Sequence, residues 1–363
     1  MNILQLTAHV NTGGITSYLY TLSSGLIRQG HEVILVASNG DMSQRLSALG
    51  IDYIDLPIRF KSMVHPKSVL YLPRLCRLIK DKKIDIIHAH TRTTQVIGSL
   101  LSLLTGIPLV TTCHGFFKPH FFRRIFGCWG KRVIAISPMV ARHLSNDFKL
   151  PPTRIRQINN GIDLLQFRGV SLESRINARQ RLGLQQAIII GLIARFSSVK
   201  GIDVLIEAFP SVLEQYPQAL LLIVGQGPEE VMLKNRVNQL GLTPHVRFEN
   251  IVKQTAEILP AFDVVIAPSR QEGLGLSVME AMASALPVIA SAVGGLKDLI
   301  TDGVDGYLIK PDEPQLLGRV INEVLRFPQG AMRIGQQARQ KIITGYTADK
   351  MVAQTLDVYH EVV

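Results

Sequence analysis

Short apolar runs, almost unbroken by charge, recur along the whole chain. They fall at residues 2–6, 31–37, 85–90, 108–112, 187–193, 220–224, 246–250, 263–267 and 287–290. Runs of this length predict strands buried on both faces, as in a parallel sheet. Most end in a turn of Gly, Pro, Asn or Ser and give way to helical periodicity, for example at 15–28, 277–285 and 347–362. Such alternation predicts an α/β chain of Rossmann-like units. No repeat-protein period is present. The longest apolar run, residues 96–110, is too short to cross a bilayer and is broken by Gly106-Ile107-Pro108, so no integral membrane protein is expected.

At 363 residues, 47% apolar and 18% charged, the chain has the material for two globular α/β domains and is not of disordered type. Its charge is unevenly divided. Residues 1–170 hold 21 Lys and Arg against 8 Asp and Glu, a balance of +13, whereas residues 171–363 hold 18 against 20, a balance of −2. The basic half predicts an anionic partner, for which a phospholipid surface, an anionic glycolipid or nucleic acid would each qualify. The charge step, just after the turn formers Asn159-Asn160-Gly161, places a boundary near Gly169. The expected domains are 1–168 and 169–345, with a terminal helix at 346–363. Three cysteines, Cys76, Cys113 and Cys128, show no C-x-x-C spacing; reduced thiols, no metal site and a cytoplasmic setting are expected. No signal peptide is expected ahead of the first strand.

The stretch richest in chemistry follows the run at 263–267. It reads Pro268-Ser269-Arg270-Gln271-Glu272-Gly273-Leu274-Gly275-Leu276 and then turns helical. A glycine-rich turn between a strand end and a helix start offers free N–H groups and a positive dipole end to an anion. Gly273 and Gly275 permit close approach of a phosphate. Glu272 and Glu280 bracket the turn. Carboxylates repel phosphate and suit hydroxyl groups. Phosphates in the middle and polyols at both ends describe a nucleotide sugar. On the residues alone a plainer reading is open: Ser277-Val278-Met279-Glu280 has the spacing of a capping box, and Glu272 could be a solvated loop residue.

The same residues resemble the signature of glycosyltransferase family 4, retaining enzymes of the GT-B fold. Its motif is a Glu, seven residues and a second Glu, here Glu272-Gly273-Leu274-Gly275-Leu276-Ser277-Val278-Met279-Glu280-Ala281-Met282-Ala283. The expected partners of the motif occur in order along the whole chain. The resemblance implies two Rossmann-like domains whose parallel sheets face a central cleft, with the last helix crossing back to the first domain. It implies Glu280 on the ribose hydroxyls, Glu272 on a sugar hydroxyl near the reacting carbon, and Gly273, Gly275 and Leu276 at the donor phosphates.

Arg195 and Lys200 stand in one loop, between the run at 187–193 and the next helix. Arg forks onto phosphate oxygens, and Lys supplies a compact charge. Facing a diphosphate, the pair would neutralise the leaving group without a metal. Alone the pair is a weak signal; the resemblance implies that both bind the donor diphosphate. Two departures from the family pattern stand nearby: Asn250 where Gly is frequent, and Gly294-Gly295-Leu296-Lys297-Asp298 where G-G-x-P-E is usual.

In the first half, Gly13-Gly14 lies between a strand and a helix without the G-x-G-x-x-G fingerprint. It reads equally as a tight turn or a ligand contact. The resemblance implies that Gly13 lies on the acceptor side and Gly14 near the donor sugar. His114 ends the strand at 108–112, on the edge where open α/β sheets bind ligands. It reads as a packed imidazole or, by the resemblance, as a neighbour of the transferred sugar. His88 and His90 read as strand-end hydrogen-bonders rather than metal ligands. Residues 118–132 interleave Lys118, Arg123, Arg124, Lys131 and Arg132 with Phe121, Phe122, Ile125, Phe126 and Trp129. This suits an anionic lipid interface, or a helix that packs its aromatics and solvates its charges.

Together these readings give a retaining glycosyltransferase of hexosyltransferase type, metal-independent, with Glu272, His114, Arg195 and Lys200 in catalytic roles. The donor is a UDP- or GDP-linked sugar and no other cofactor is expected. The acceptor is a lipid-linked or cell-envelope glycan of lipopolysaccharide or exopolysaccharide type. The setting is cytoplasmic, with peripheral contact to the inner face of the membrane through Lys118, Arg123 and Arg124. A GT-B-type sugar-nucleotide epimerase is the alternative. A nucleic-acid-binding protein is suggested by charge alone and has no recognition motif. A metal-dependent GT-A transferase is disfavoured because no D-x-D follows a strand.

Overall fold

A computed structural model of the chain describes residues 1–59, 69–118, 127–184, 188–250 and 255–363. It divides into two units, Met1–Gly161 with Ala348–Val363, and Ile162–Thr347. Each has a wholly parallel sheet with helices on its faces.

Among the described residues the first unit has seven strands: β1 (Asn2–His9), β2 (Glu32–Ser38), β3 (Asp52–Asp55), β4 (Ile86–Ala89), β5 (Leu109–Cys113), β6 (Arg132–Ala135) and β7 (Ile155–Gln157). Their order is β3-β2-β1-β4-β5-β6-β7. The second unit has β8 (Ile188–Ile193), β9 (Ala219–Val224), β10 (Val246–Glu249), β11 (Val264–Ala267), β12 (Val288–Ser291) and β13 (Tyr307–Ile309), in the order β10-β9-β8-β11-β12-β13. The order reverses between β1 and β4, and again between β8 and β11. At such a reversal the loops leave on opposite faces and a crevice opens at the carboxyl ends of the strands.

The strands form where the apolar runs are densest. Residues 3–7 of β1 are all buried, as are all of β4, β5 and β12. The short strands β3, β6, β7 and β13 are not foreshadowed by such runs. Asp52-Tyr53-Ile54-Asp55 has a charge at each end, and every residue of this edge strand is partly or fully exposed. An edge strand covered on one side needs no continuous apolar run.

The terminal helix Ala348–His360 buries Met351, Val352, Leu356 and Tyr359 in the core of the first unit. It fits beside the helix Gly14–Arg28 because Gly25 has no side chain: a Cβ there would lie 2.4 Å from Val352 Cγ2. The chain end is held by charge as well. Glu361 accepts from Arg132 Nε at 2.7 Å and from Arg156 Nε at 2.9 Å, and Lys131 Nζ donates to the Val362 carbonyl at 3.0 Å. Hydrogen bonds from the two guanidinium groups pull the Glu361 carboxyl down to about 2.

These contacts correct part of the interfacial reading of residues 118–132. Lys131 and Arg132 hold the chain terminus, and Trp129 is 5% exposed and stacks edge-on against Phe148. Arg123, Arg124 and the phenylalanines of that segment lie outside the described residues. Lys118 is exposed. The first unit also ends earlier than the charge step suggests. Phe167 and Val170 are tied into the second unit, by Arg339 Nη1 to the Phe167 carbonyl at 2.8 Å and by Val170 N to the Ser284 carbonyl at 3.1 Å.

Candidate active site

In the second unit the loops after β8 and β11, the strands flanking the reversal, come together. The β11 loop is fastened to the β8 loop by Arg270 N and Gln271 N, which donate to the Val199 carbonyl at 2.8 and 3.2 Å. The Arg270 side chain completes the tie. It donates to the Ser198 carbonyl at 2.7 Å, to both oxygens of Asp203 at 2.9 and 2.6 Å, and to Asp312 at 2.6 Å. A guanidinium can serve all four acceptors at once because its donors form a rigid planar fork.

The result is a contact between Lys200 and Glu272, with Nζ 2.5 Å from Oε2 and side chains 25% and 16% exposed. The ion pair offsets the carboxylate beside the turn, which would otherwise repel a phosphate. Arg195 stands exposed in the same β8 loop and makes no hydrogen bond or ion pair among the described residues.

The turn itself is shaped by glycines. Gly275 has φ +86° and precedes the helix Leu276–Ala283, whose start receives no side-chain cap. Its leading N–H groups are thus left without a side-chain acceptor. Gly294, at φ +49°, backs the turn so closely that a Cβ would sit 1.8 Å from the Glu272 carbonyl. Gly295 N donates to that carbonyl at 3.2 Å.

The capping-box reading of Glu280 does not hold. Ser277 lies inside the helix, and the Glu280 carboxylate accepts from Thr255 Oγ1 at 2.8 Å instead. Glu280 is 9% exposed. Burial raises its carboxyl to about 7, with the Thr255 hydrogen bond opposing the shift. A carboxyl left so costly to ionise suits a place where a ligand donates to it.

In the first unit, Gly13 and Gly14 are exposed, and a Cβ on either would meet nothing within 4 Å among the described residues. Packing does not require these glycines, although the φ of +159° at Gly13 is one that side-chain-bearing residues rarely adopt. Their loop is anchored by Asp41, which accepts from Thr12 N at 2.6 Å and Thr12 Oγ1 at 3.0 Å. His114 follows β5 and is partly buried, with its Nε2 3.2 Å from His90 Nδ1 and its ring edge-on to Tyr18 at 4.8 Å. His88 bonds Tyr359 and Thr112, and His90 bonds Gln5, so both are strand-end hydrogen-bonders.

Residues 12–165 match the family model Glycosyltransferase Family 4, and residues 174–341 match Glycosyl transferases group 1. A D-inositol 3-phosphate glycosyltransferase of Salinispora arenicola is 30% identical over 77% of this chain and 69% of its own length. The chain belongs to glycosyltransferase family 4. An uncharacterized glycosyltransferase of Methanocaldococcus jannaschii, MJ1607, is 27% identical over 96% of this chain and 94% of its own. Anabaena HepE, solved with UDP and glucose, superimposes with a TM-score of 0.88 at 22% identity, covering 99% of both chains. The fold is thus GT-B, with a parallel-sheet α/β domain in each half.

Several residues of this family 4 chain escaped the sequence reading. Arg270, in the loop after β11, binds Asp203 in the first turn of the helix Ile202–Leu213. Thr255 reaches Glu280 from a short helical turn, and Gln5 and Tyr359 meet from opposite ends of the chain at 3.3 Å. One signal was available for Gln5: it is the single polar residue in the apolar run Ile3-Leu4-Gln5-Leu6. A fully buried amide in such a run needs polar partners.

Proposed function

We propose that this glycosyltransferase is a metal-independent, retaining hexosyltransferase that uses a UDP- or GDP-linked sugar and an anionic acceptor, a lipid-linked or cell-envelope glycan. The Lys200–Glu272 contact beside the uncapped helix start at Gly275 carries this reading. Diphosphate lies against Lys200, Arg195 and the turn N–H groups of Gly273, Gly275 and Leu276. Glu280 accepts from the ribose hydroxyls and Glu272 from a sugar hydroxyl. Lys200 and Arg195 stabilise the charge that grows on the leaving diphosphate as the glycosidic bond breaks.

Retention by double displacement needs a carboxylate nucleophile on the opposite sugar face. Glu272 is committed to Lys200 and to a hydroxyl. The family resemblance implies a same-face displacement instead. The acceptor oxygen bonds to the anomeric carbon as the bond to phosphate breaks, and the departing phosphate oxygen takes the acceptor proton.

The donor class is supported by the HepE complex with UDP and glucose. The +13 balance of residues 1–170 supports an anionic acceptor, as does the phosphorylated substrate in the name of the Salinispora relative. Among the described residues no helix is long and apolar enough to cross a membrane. A lipid-linked acceptor would therefore be met at the surface, through the basic first unit including Lys118.

A panel of UDP-, GDP- and ADP-sugars, screened by thermal shift and then by transfer, tests the donor. NMR of the product tests retention. An inverted anomeric centre would refute the mechanism. A nucleotide-only epimeric product would establish the epimerase alternative. Co-sedimentation with anionic liposomes at low salt tests the membrane contact, and no binding would refute it.

A further inference from the structure

A buried hydrogen-bond chain lies beneath His114, across the carboxyl ends of three neighbouring strands. Gln5 on β1 is paired in register with His88 on β4, His90 follows β4, and His114 follows β5. Tyr359 enters from the terminal helix. Gln5, His88 and Tyr359 are 0% exposed and His90 is 2% exposed.

The bonds run from Gln5 in two directions. Gln5 Oε1 lies 2.6 Å from His90 Nε2, and His90 Nδ1 lies 3.2 Å from His114 Nε2. On the other side Gln5 Nε2 lies 3.3 Å from Tyr359 Oη, which is 2.6 Å from His88 Nδ1, whose Nε2 is 2.7 Å from Thr112 Oγ1. Burial lowers His88 and His114 to about 3 and His90 well below its usual value, so all three rings are neutral at physiological pH. A neutral imidazole has one N–H and one lone pair. Each ring therefore donates on one side and accepts on the other.

The separations select that direction. At 2.6 Å the His90 contact suits an N–H donating to oxygen and is too short for a nitrogen pair. At 3.3 Å the Tyr359 contact suits an amide N–H donor better than a hydroxyl donor, whose bonds are shorter. Gln5 Oε1 thus accepts a hydrogen bond from His90 Nε2–H. His90 Nδ1 is left as an acceptor and draws a proton onto His114 Nε2. His114 Nδ1 is then unprotonated, and it has no partner among the described residues.

We propose that Gln5 is a positioning residue that, through His90, holds His114 in its Nε2–H tautomer, so that His114 offers the Nδ1 lone pair to a substrate hydroxyl. The use made of Nδ1 rests on the reading of His114 as a substrate contact. The tautomer itself does not. A site of this kind accepts a hydroxyl hydrogen and selects against a ligand group that brings only a lone pair.

The test is long-range ¹H–¹⁵N correlation of the imidazole nitrogens in the full chain, with His114 assigned by its loss in His114→Gln. The expected result is a protonated Nε2 and an unprotonated Nδ1 on His114. A protonated Nδ1 overturns the proposal, and this measurement needs no variant of Gln5 to fold. In Gln5→Met the His114 signals shift to a tautomer mixture, and transfer falls about tenfold, the worth of one hydrogen bond. Gln5→Glu, which keeps an oxygen toward His90, restores the wild-type His114 tautomer. An unchanged tautomer in Gln5→Met overturns the role of Gln5. A changed tautomer with unchanged transfer overturns the substrate contact, while donor binding in the second unit is judged separately by thermal shift.

Discussion

Lys200 Nζ and Glu272 Oε2 stand 2.5 Å apart, although 72 residues separate them in sequence. They meet because β8 and β11 are neighbours in the sheet and Arg270 ties the loops that follow them. The cation proposed to bind the donor phosphates and the carboxylate proposed to bind a sugar hydroxyl are thereby placed side by side, each neutralising the other.

Removal of either partner should separate catalysis from folding. Lys200→Ala and Glu272→Ala are each expected to lower transfer about 100-fold or more, the scale for loss of an electrostatic transition-state contact. The pair is partly exposed, so the stability cost should be only about 1–2 kcal/mol, between surface and buried ion pairs. Steady-state transfer beside thermal melting checks this. Near-normal rates in a folded variant would rule out the assigned roles.

Glu280 gives a pH-dependent prediction. Its carboxyl is raised by burial to about 7 from an ordinary 4.5. Between these values the folded protein holds a proton that the unfolded chain has released. The stabilisation is therefore full below about 4.5 and is lost as pH rises through about 7. Glu280→Gln, which keeps an acceptor for Thr255, should raise stability at pH 8 by up to about 3 kcal/mol and have little effect at pH 4. The same variant should bind the nucleotide sugar more weakly. Melting at the two pH values, with calorimetric titration of donor, measures both. Equal stability gains at both pH values would contradict the assignment.

Arg270 should matter without touching substrate. Arg270→Ala leaves Asp203 and Asp312 without their cation and frees the Val199–Lys200 segment. A loss of about 2–3 kcal/mol is expected, in the range for breaking a shared charged network, together with weaker donor binding. Arg270→Lys should recover little, since an ammonium cannot serve Ser198, Asp203 and Asp312 together. Full rescue by Lys would show that charge alone suffices.

Gly294 tests the backing of the turn. Gly294→Ala adds a methyl at φ +49° and 1.8 Å from the Glu272 carbonyl. The expected cost is about 1–3 kcal/mol, combining left-handed strain with displacement of the turn. Transfer should fall along with it, because Glu272 moves. Gly14→Ala, at the first position of the helix Gly14–Arg28 and with open space around its Cβ position, should leave stability within about 1 kcal/mol of wild type. Paired denaturation curves compare them.

The sequence by itself determined the fold class, the places of the longer strands and the family. Apolar runs such as residues 188–193 and 263–267 can be satisfied only by burial on both faces, and the Glu272–Glu280 spacing with its glycines is local. Edge strands such as Asp52–Asp55 were not legible, because half-exposed backbone needs no continuous apolar run. Whether Glu280 caps its helix could not be read either. Ser277 and Glu280 have the right spacing, but the partner that takes the carboxylate, Thr255, comes from elsewhere in the chain. Likewise the basic segment up to Arg132 read equally as a lipid interface or as a helix packing its aromatics, and the tertiary structure turns Trp129 to the core and Lys131 and Arg132 to the chain terminus. Only the tertiary structure decided the Lys200–Glu272 pair, the Arg270 tie and the Gln5–His90–His114 chain. The reason is physical: a hydrophobic pattern reports which side of an element is buried, whereas a hydrogen bond between elements depends on strand order and register, which bring together residues that no local spacing connects.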